Sequence, residues 1–116
     1  MPLAPAFSLA YRAGDDILLE FLVEDANGTV ANITGATVKF AVAEDKTSPI
    51  ITTEGVTPTA TWTITDPMNG LFQVAIAGEE TQDLRGTYPC DAALDDVFGA
   101  TVTVAQGYLT FTADLV

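Results

Sequence analysis

Asp16-Ile17-Leu18-Leu19-Glu20-Phe21-Leu22-Val23-Glu24 is the stretch on which the fold turns. Side chains alternate across a pleated strand with a period of two, so Ile17, Leu19, Phe21 and Val23 share one face, while Leu18, Glu20 and Leu22 share the other. The first four are expected in a core. Asp25-Ala26-Asn27-Gly28 follows, and Asn27 and Gly28 are the residues that supply the positive φ angles of a tight hairpin, so the chain is expected to reverse there.

The same alternation recurs outward from this strand. Val38, Phe40 and Val42 form an inward row, with Thr37 and Lys39 toward water. Ala60, Trp62 and Ile64 oppose Thr59, Thr61, Thr63 and Thr65, and Phe72, Val74 and Ile76 return as the hairpin partner. Between them Asp66-Pro67-Met68-Asn69-Gly70 forms a turn, with Pro67 presetting φ and Asn69 or Gly70 taking the left-handed position. Strands are expected at about 6–11, 16–24, 36–43, 50–53, 59–65, 70–76, 87–94 and 101–113. Helical periodicity is nearly absent. Its one exception is a short helical turn near 79–84, with Glu79 and Glu80 at its start, where the helix dipole favours acid, and Leu84 as its anchor. In the last strand the apolar phase passes from Val102 and Val104 to Leu109 and Phe111, which predicts a β-bulge near Ala105-Gln106-Gly107. The pattern is that of an all-β, antiparallel β-sandwich of seven or eight strands. A single domain is expected over 1–116, with residues 1–6 as an extended N-terminal arm.

With 48% apolar residues in 116, the chain can bury one core. Its basic residues are Arg12, Lys39, Lys46 and Arg85, against sixteen carboxylates, for a net charge of -12. So negative a surface repels phosphate backbones and anionic headgroups, so neither nucleic acid nor a membrane is expected as partner. No apolar run approaches the ~20 residues of a membrane span. Met1-Pro2-Leu3-Ala4-Pro5-Ala6 lacks the basic and apolar regions of a secretory signal, and export by that route is not expected.

The absence of histidine removes the commonest general base, the serine-histidine triad and the usual zinc ligands. Carboxylate chemistry would need two carboxyl groups ~5–10 Å apart across a cleft. Asp15/Asp16, Glu79/Glu80 and Asp95/Asp96 are adjacent pairs in expected turns, where acid serves capping and solubility. Asp25-Ala26-Asn27-Gly28 begins like a calcium loop but lacks the later acidic ligand. No catalytic residue, metal site or cofactor is therefore expected, and the chain is not read as an enzyme. Cys90, the single cysteine, is expected as a small buried hydrophobe beside Asp91. Asn27-Gly28-Thr29 and Asn32-Ile33-Thr34 match the glycosylation pattern and are read as turn residues. Trp62, Tyr88 and Tyr108 could form a sugar-stacking platform, but alternation assigns Trp62 to the core.

Arg85-Gly86-Thr87-Tyr88-Pro89-Cys90 places Tyr-x-Cys after the acidic turn and resembles the E–F corner of immunoglobulin-like domains. A longer succession runs from Arg12-Ala13-Gly14-Asp15-Asp16 through Asp25-Ala26-Asn27-Gly28 to Ile33-Thr34-Gly35-Ala36-Thr37-Val38-Lys39-Phe40. It continues with Gly70-Leu71-Phe72-Gln73-Val74, Leu84-Arg85-Gly86-Thr87-Tyr88 and Gly107-Tyr108-Leu109-Thr110-Phe111-Thr112. This order resembles the small β-sandwich domains of tailed-bacteriophage virion proteins, including baseplate upper-protein N-terminal domains. The resemblance implies a structural role in tail, baseplate, fibre or capsid surface. It also implies homo-oligomeric contacts, other virion proteins as partners, and assembly in the bacterial host cytoplasm. The alternative is a sandwich module that binds carbohydrate or a receptor.

One misfit points to an interface. Leu18 and Leu22 fall on the face of their strand opposite the core, beside Glu20, where a lone soluble domain prefers polar residues. With Leu3 and Phe7 of the proline-bearing N-terminal arm, which has no evident place in the sandwich, they are the candidate interface residues.

Overall fold

Ile17, Leu19 and Phe21 are buried and Leu18, Glu20 and Leu22 exposed along the strand Ile17–Leu22, the alternation its sequence dictates. In the computed structural model, which describes residues 6–24, 27–45, 48–54 and 58–113, eight strands follow in chain order. They are β1 (Ala6–Arg12), β2 (Ile17–Leu22), β3 (Thr37–Asp45), β4 (Ser48–Thr52), β5 (Ala60–Asp66), β6 (Leu71–Ile76), β7 (Gly86–Asp95) and β8 (Thr101–Thr112). Two sheets result, with orders β1-β8-β7-β3-β4 and β2-β6-β5. The fold is a β-sandwich with the immunoglobulin-like division of strands, β2-β6-β5 standing as B-E-D and β8-β7-β3-β4 as G-F-C-C′. Pairing is antiparallel except where β1 runs parallel to β8, from Ala6↔Gln106 to Arg12↔Thr112.

Register explains the core. On β2 and β6, Ile17↔Ile76, Leu19↔Val74 and Phe21↔Phe72 are directly opposite, so each inward residue meets another across the ladder. Val38, Phe40 and Val42 of β3 and Ala92 and Leu94 of β7 line the facing sheet. Phe40, Phe72 and Phe111 are fully buried, each worth about 1.5–3 kcal/mol relative to exposure. Trp62 and Tyr88 are half-buried and pack against this core, not within it. Leu84 packs there too, after a short 3-10 helix at Gly78–Glu80 that forms the expected helical turn.

Tyr88 closes the corner before β7. Its hydroxyl donates to the Arg85 carbonyl at 2.8 Å and accepts from the Arg85 amide at 3.3 Å, the bond expected of a tyrosine corner. Pro89 follows without disrupting β7, because the β3–β7 ladder ends at Val42↔Cys90 and β7 is paired there only with β8.

The expected bulge is present in β8, and two local expectations need correction. Ala92↔Ala105 is followed by Ala93↔Thr103, which makes Val104 the extra residue, directly beside the expected Ala105-Gln106-Gly107. Val104 and Ala105 are consequently both buried, whereas Val102 is exposed and not inward. In the turn after β2, Gly28 has positive φ but Asn27 does not, and Asp25 and Ala26 lie outside the described residues. The reversal itself is present, with Glu24 bridged antiparallel to Val30.

Candidate functional site

Strands β1 and β2 are edges of different sheets, and the seam between them is the candidate site. β1 can lie close on β8 because Gly107 stands opposite Phe7, where any Cβ would overlap the Phe7 carbonyl. Phe7 thereby reaches across the seam to Phe21, edge to face, with ring centroids 6.0 Å apart. That contact corrects the reading of Phe7 as part of an arm without a place in the sandwich. Leu3 lies outside the described residues.

Above the Phe7–Phe21 contact is an apolar groove of about 280 Å³, walled by Phe7, Leu9 and Tyr11 on one side and by Leu18 and Leu22 on the other. Val104 and Ala105, the bulge residues, form part of its lining. Three of the four candidate interface residues, Phe7, Leu18 and Leu22, therefore border one concavity. Leu18 is 60% exposed and Leu22 44%. Glu20 between them accepts a hydrogen bond from the Gln73 side chain at 3.1 Å and puts a carboxylate on the rim. Partial burial raises the Tyr11 phenol above its usual 10.0, which keeps it neutral. Leu9 and Tyr11 were missed in the sequence because a strand pattern at 6–11 does not tell which face meets another sheet.

Asp16, Asp95 and Asp96 each make side-chain bonds that hold turns or strand ends in place. Asp16 accepts the Gly78 amide at 2.7 Å. The buried Thr81 hydroxyl accepts from the Gly14 amide at 3.0 Å and donates to the Gly78 carbonyl at 3.1 Å. Together they bind the β1–β2 turn to the 3-10 helix. This brings Asp16, Glu79 and Glu80 to the lining of a shallow cleft of about 500 Å³. At the other end of β7, Asp95 pairs with Lys39 at 2.9 Å and accepts from Thr101 at 2.6 Å. Asp96 caps the β7–β8 turn. No group of three or more metal-ligating side chains is gathered among the described residues.

The chain matches no family model and no curated relative. What it can do therefore rests on its own surfaces. Trp62 stands on β5 in one sheet, while Tyr88 and Tyr108 stand on β7 and β8 of the other. Tyr88 packs inward on Phe111 and Tyr108 is exposed, so the three rings do not make one platform. Asn32 accepts from the Thr34 amide and hydroxyl at 3.0 and 2.6 Å, the turn role read for it in the sequence. Burial, then the neighbouring Asp91, pushes the Cys90 thiol up to about 12, which opposes thiolate chemistry.

Sequence reading also passed over a second apolar feature. Val97 and Phe98, in the turn between β7 and β8, are exposed, Phe98 by 92%. Their signal in the sequence is two large apolar residues inside Asp95-Asp96-Val97-Phe98-Gly99, a segment that its acids and glycine otherwise mark as a polar turn.

Proposed function

We propose that this chain is a non-catalytic structural domain that works through protein–protein assembly, with the β1–β2 seam as its contact surface. The observation that carries this reading is the pair Leu18 and Leu22, exposed on one face of β2 at the mouth of an apolar groove and rimmed by Glu20. An apolar centre with a charged rim is the composition of an association surface. Symmetric copies of one chain are the commonest way to cover it. A role in the tail, baseplate, fibre or capsid surface of a tailed phage is the further part of the proposal, and it draws on the order of turn motifs.

Light scattering of the purified chain tests the assembly reading. Wild type should be oligomeric at high micromolar concentration, and Leu18→Glu with Leu22→Glu should give a folded monomer. A monomeric wild type, or a double variant that unfolds, overturns it. The virion reading is tested by the genes flanking the coding sequence. Tail or baseplate genes are expected there, and a neighbourhood without virion genes counts against it.

A further inference from the structure

The chain has three asparagines, Asn27, Asn32 and Asn69, and two of them precede glycine, as Asn27-Gly28 and Asn69-Gly70. An asparagine followed by glycine carries its own reaction. The backbone nitrogen of the second residue, once its proton leaves, can attack the side-chain amide carbon of the first, and glycine lets it approach because no Cβ stands in the way. The closure is intramolecular, so it needs only that the two atoms be brought to about 3–3.5 Å in the right direction. A folded chain permits or forbids that by what holds the nitrogen and the side chain.

The fold separates the two sites. Asn69-Gly70 is locked in the β5–β6 turn: the Asn69 side-chain amide donates to Asp66 Oδ2 at 2.9 Å, and the Gly70 amide donates to the Pro67 carbonyl at 3.4 Å. Gly70 is buried, and a Cβ there would lie 2.6 Å from the Val23 carbonyl oxygen and 2.9 Å from that of Ala31, so neighbouring main chain hems it in. Asn27 and Gly28 are both exposed. Chain neighbours aside, the nearest described atom to where a Cβ on Gly28 would stand is Glu24 Oε2, at 3.8 Å. Both glycines have positive φ, +79° and +70°, so packing and not backbone conformation distinguishes them. Asn32 is held as well: its Oδ1 accepts from Thr34, and the residue after it is the buried, β-branched Ile33.

We propose that Asn27-Gly28 is a self-modifying site of the folded protein, at which Asn27 loses its side-chain amide as ammonia, and that the fold protects Asn69-Gly70 from the same reaction. The Gly28 nitrogen bonds to Asn27 Cγ, the Cγ–Nδ2 bond breaks, and ammonia leaves with the proton that Gly28 gave up. A five-membered succinimide remains, and water opens it. Cleavage at Cγ gives an aspartyl residue at position 27, whereas cleavage at the main-chain carbonyl gives an isoaspartyl residue, whose chain runs through Cγ. One water is consumed, one ammonia is released, and nothing is oxidised or reduced. The product adds a carboxylate beside Glu24 to a chain whose net charge is already -12. The turn that takes up the change is closed at its base, where the Ala31 amide donates to the Val23 carbonyl at 2.9 Å and Glu24 bridges Val30. The site is independent of the assembly reading.

Peptide mapping by mass spectrometry provides the test, on the full folded chain held at mildly alkaline pH and physiological temperature, with the same incubation in urea as reference. In the folded chain the mass gain of amide-to-acid conversion should appear at position 27, in aspartyl and isoaspartyl peptides. Asn69 should react more slowly by roughly tenfold or more, since two hydrogen bonds must break before its ring can close. In urea the two sites should react at similar rates, because each then has only its glycine neighbour to govern it. The rate at position 27 should rise with pH, since the amide proton must leave first. Asn27→Gln should abolish the product there, because its closure needs a larger and slower ring, and circular dichroism like wild type shows that this variant folds. A folded chain in which Asn27 is as slow as Asn69, while urea releases both, overturns the proposal. So does fast and equal reaction at both sites in the folded chain, which would mean that packing does not choose between them. Neither result touches the assembly reading, whose readout is the oligomeric state.

Discussion

Phe21 of β2 stacks on Phe72 of β6, with ring centroids 5.0 Å apart and planes 20° from parallel. The two are register partners across the three-stranded sheet. Phe21 also meets Phe40 of the opposite sheet at 6.1 Å and Phe7 of β1 at 6.0 Å. One ring thereby joins both sheets to the strand that walls the groove. The core and the candidate contact surface are the two faces of β2, one residue apart in sequence.

Phe21→Ala should cost about 3–5 kcal/mol through lost burial and the cavity left among three rings. A domain of this size has about 5–15 kcal/mol in total, so the variant should melt far below wild type or fail to fold. Phe40→Ala, from the facing sheet, should behave alike. Urea and thermal melts decide the matter. Unchanged stability in both would mean that the aromatic cluster does not bridge the sheets.

Cys90 should resist alkylation in the folded protein at mildly alkaline pH. Burial and Asp91 push its thiol from the ordinary 9.0 up to about 12, so little thiolate is present while the native state persists. The sign for stability follows. The unfolded chain loses the proton near 9.0 and the folded one only near 12, so stability falls as pH rises through that window. Iodoacetamide labelling should track unfolding under denaturant. Rapid native labelling at pH 8 would contradict the burial of the thiol.

Asp95→Asn should flatten the acid limb of the stability profile. A hydrogen bond from Thr101, and then the Lys39 ammonium, hold the Asp95 carboxyl below its usual 3.8. Its contribution is present above the ordinary aspartate range and lost as pH falls through the lowered value. The hydrogen bond to Asp95 raises Lys39 above 10.5, so that partner's share is lost only as pH climbs through the raised value. Thermal melts across pH should show wild type above the variant near neutrality and the two converging in acid. A gap that persists unchanged in strong acid would remove Asp95 as its source.

Much of this was legible in the chain because strand alternation is local. Parity alone put Phe21 inward and Leu18 and Leu22 outward, Pro67 and Gly70 marked the β5–β6 turn, and Tyr88 marked the corner before β7. A two-residue period needs no knowledge of what lies across the sheet. Four features did depend on distant partners. β1 joins β8 in parallel, pairing residues 100 positions apart, such as Ala6 and Gln106, and no nearby residue encodes that choice. The bulge falls at Val104 because Ala92 and Ala93 of β7 fix where the extra residue must be absorbed. The groove exists only because β1 and β2 end up as edges of separate sheets, and Phe98 is 92% exposed because its hairpin carries it away from the described core. The sequence by itself determined which side of each strand is apolar, since that is written in side-chain order. Which apolar side chains remain uncovered was decided by the tertiary structure, since burial is a property of neighbours that only the packed sheets bring together.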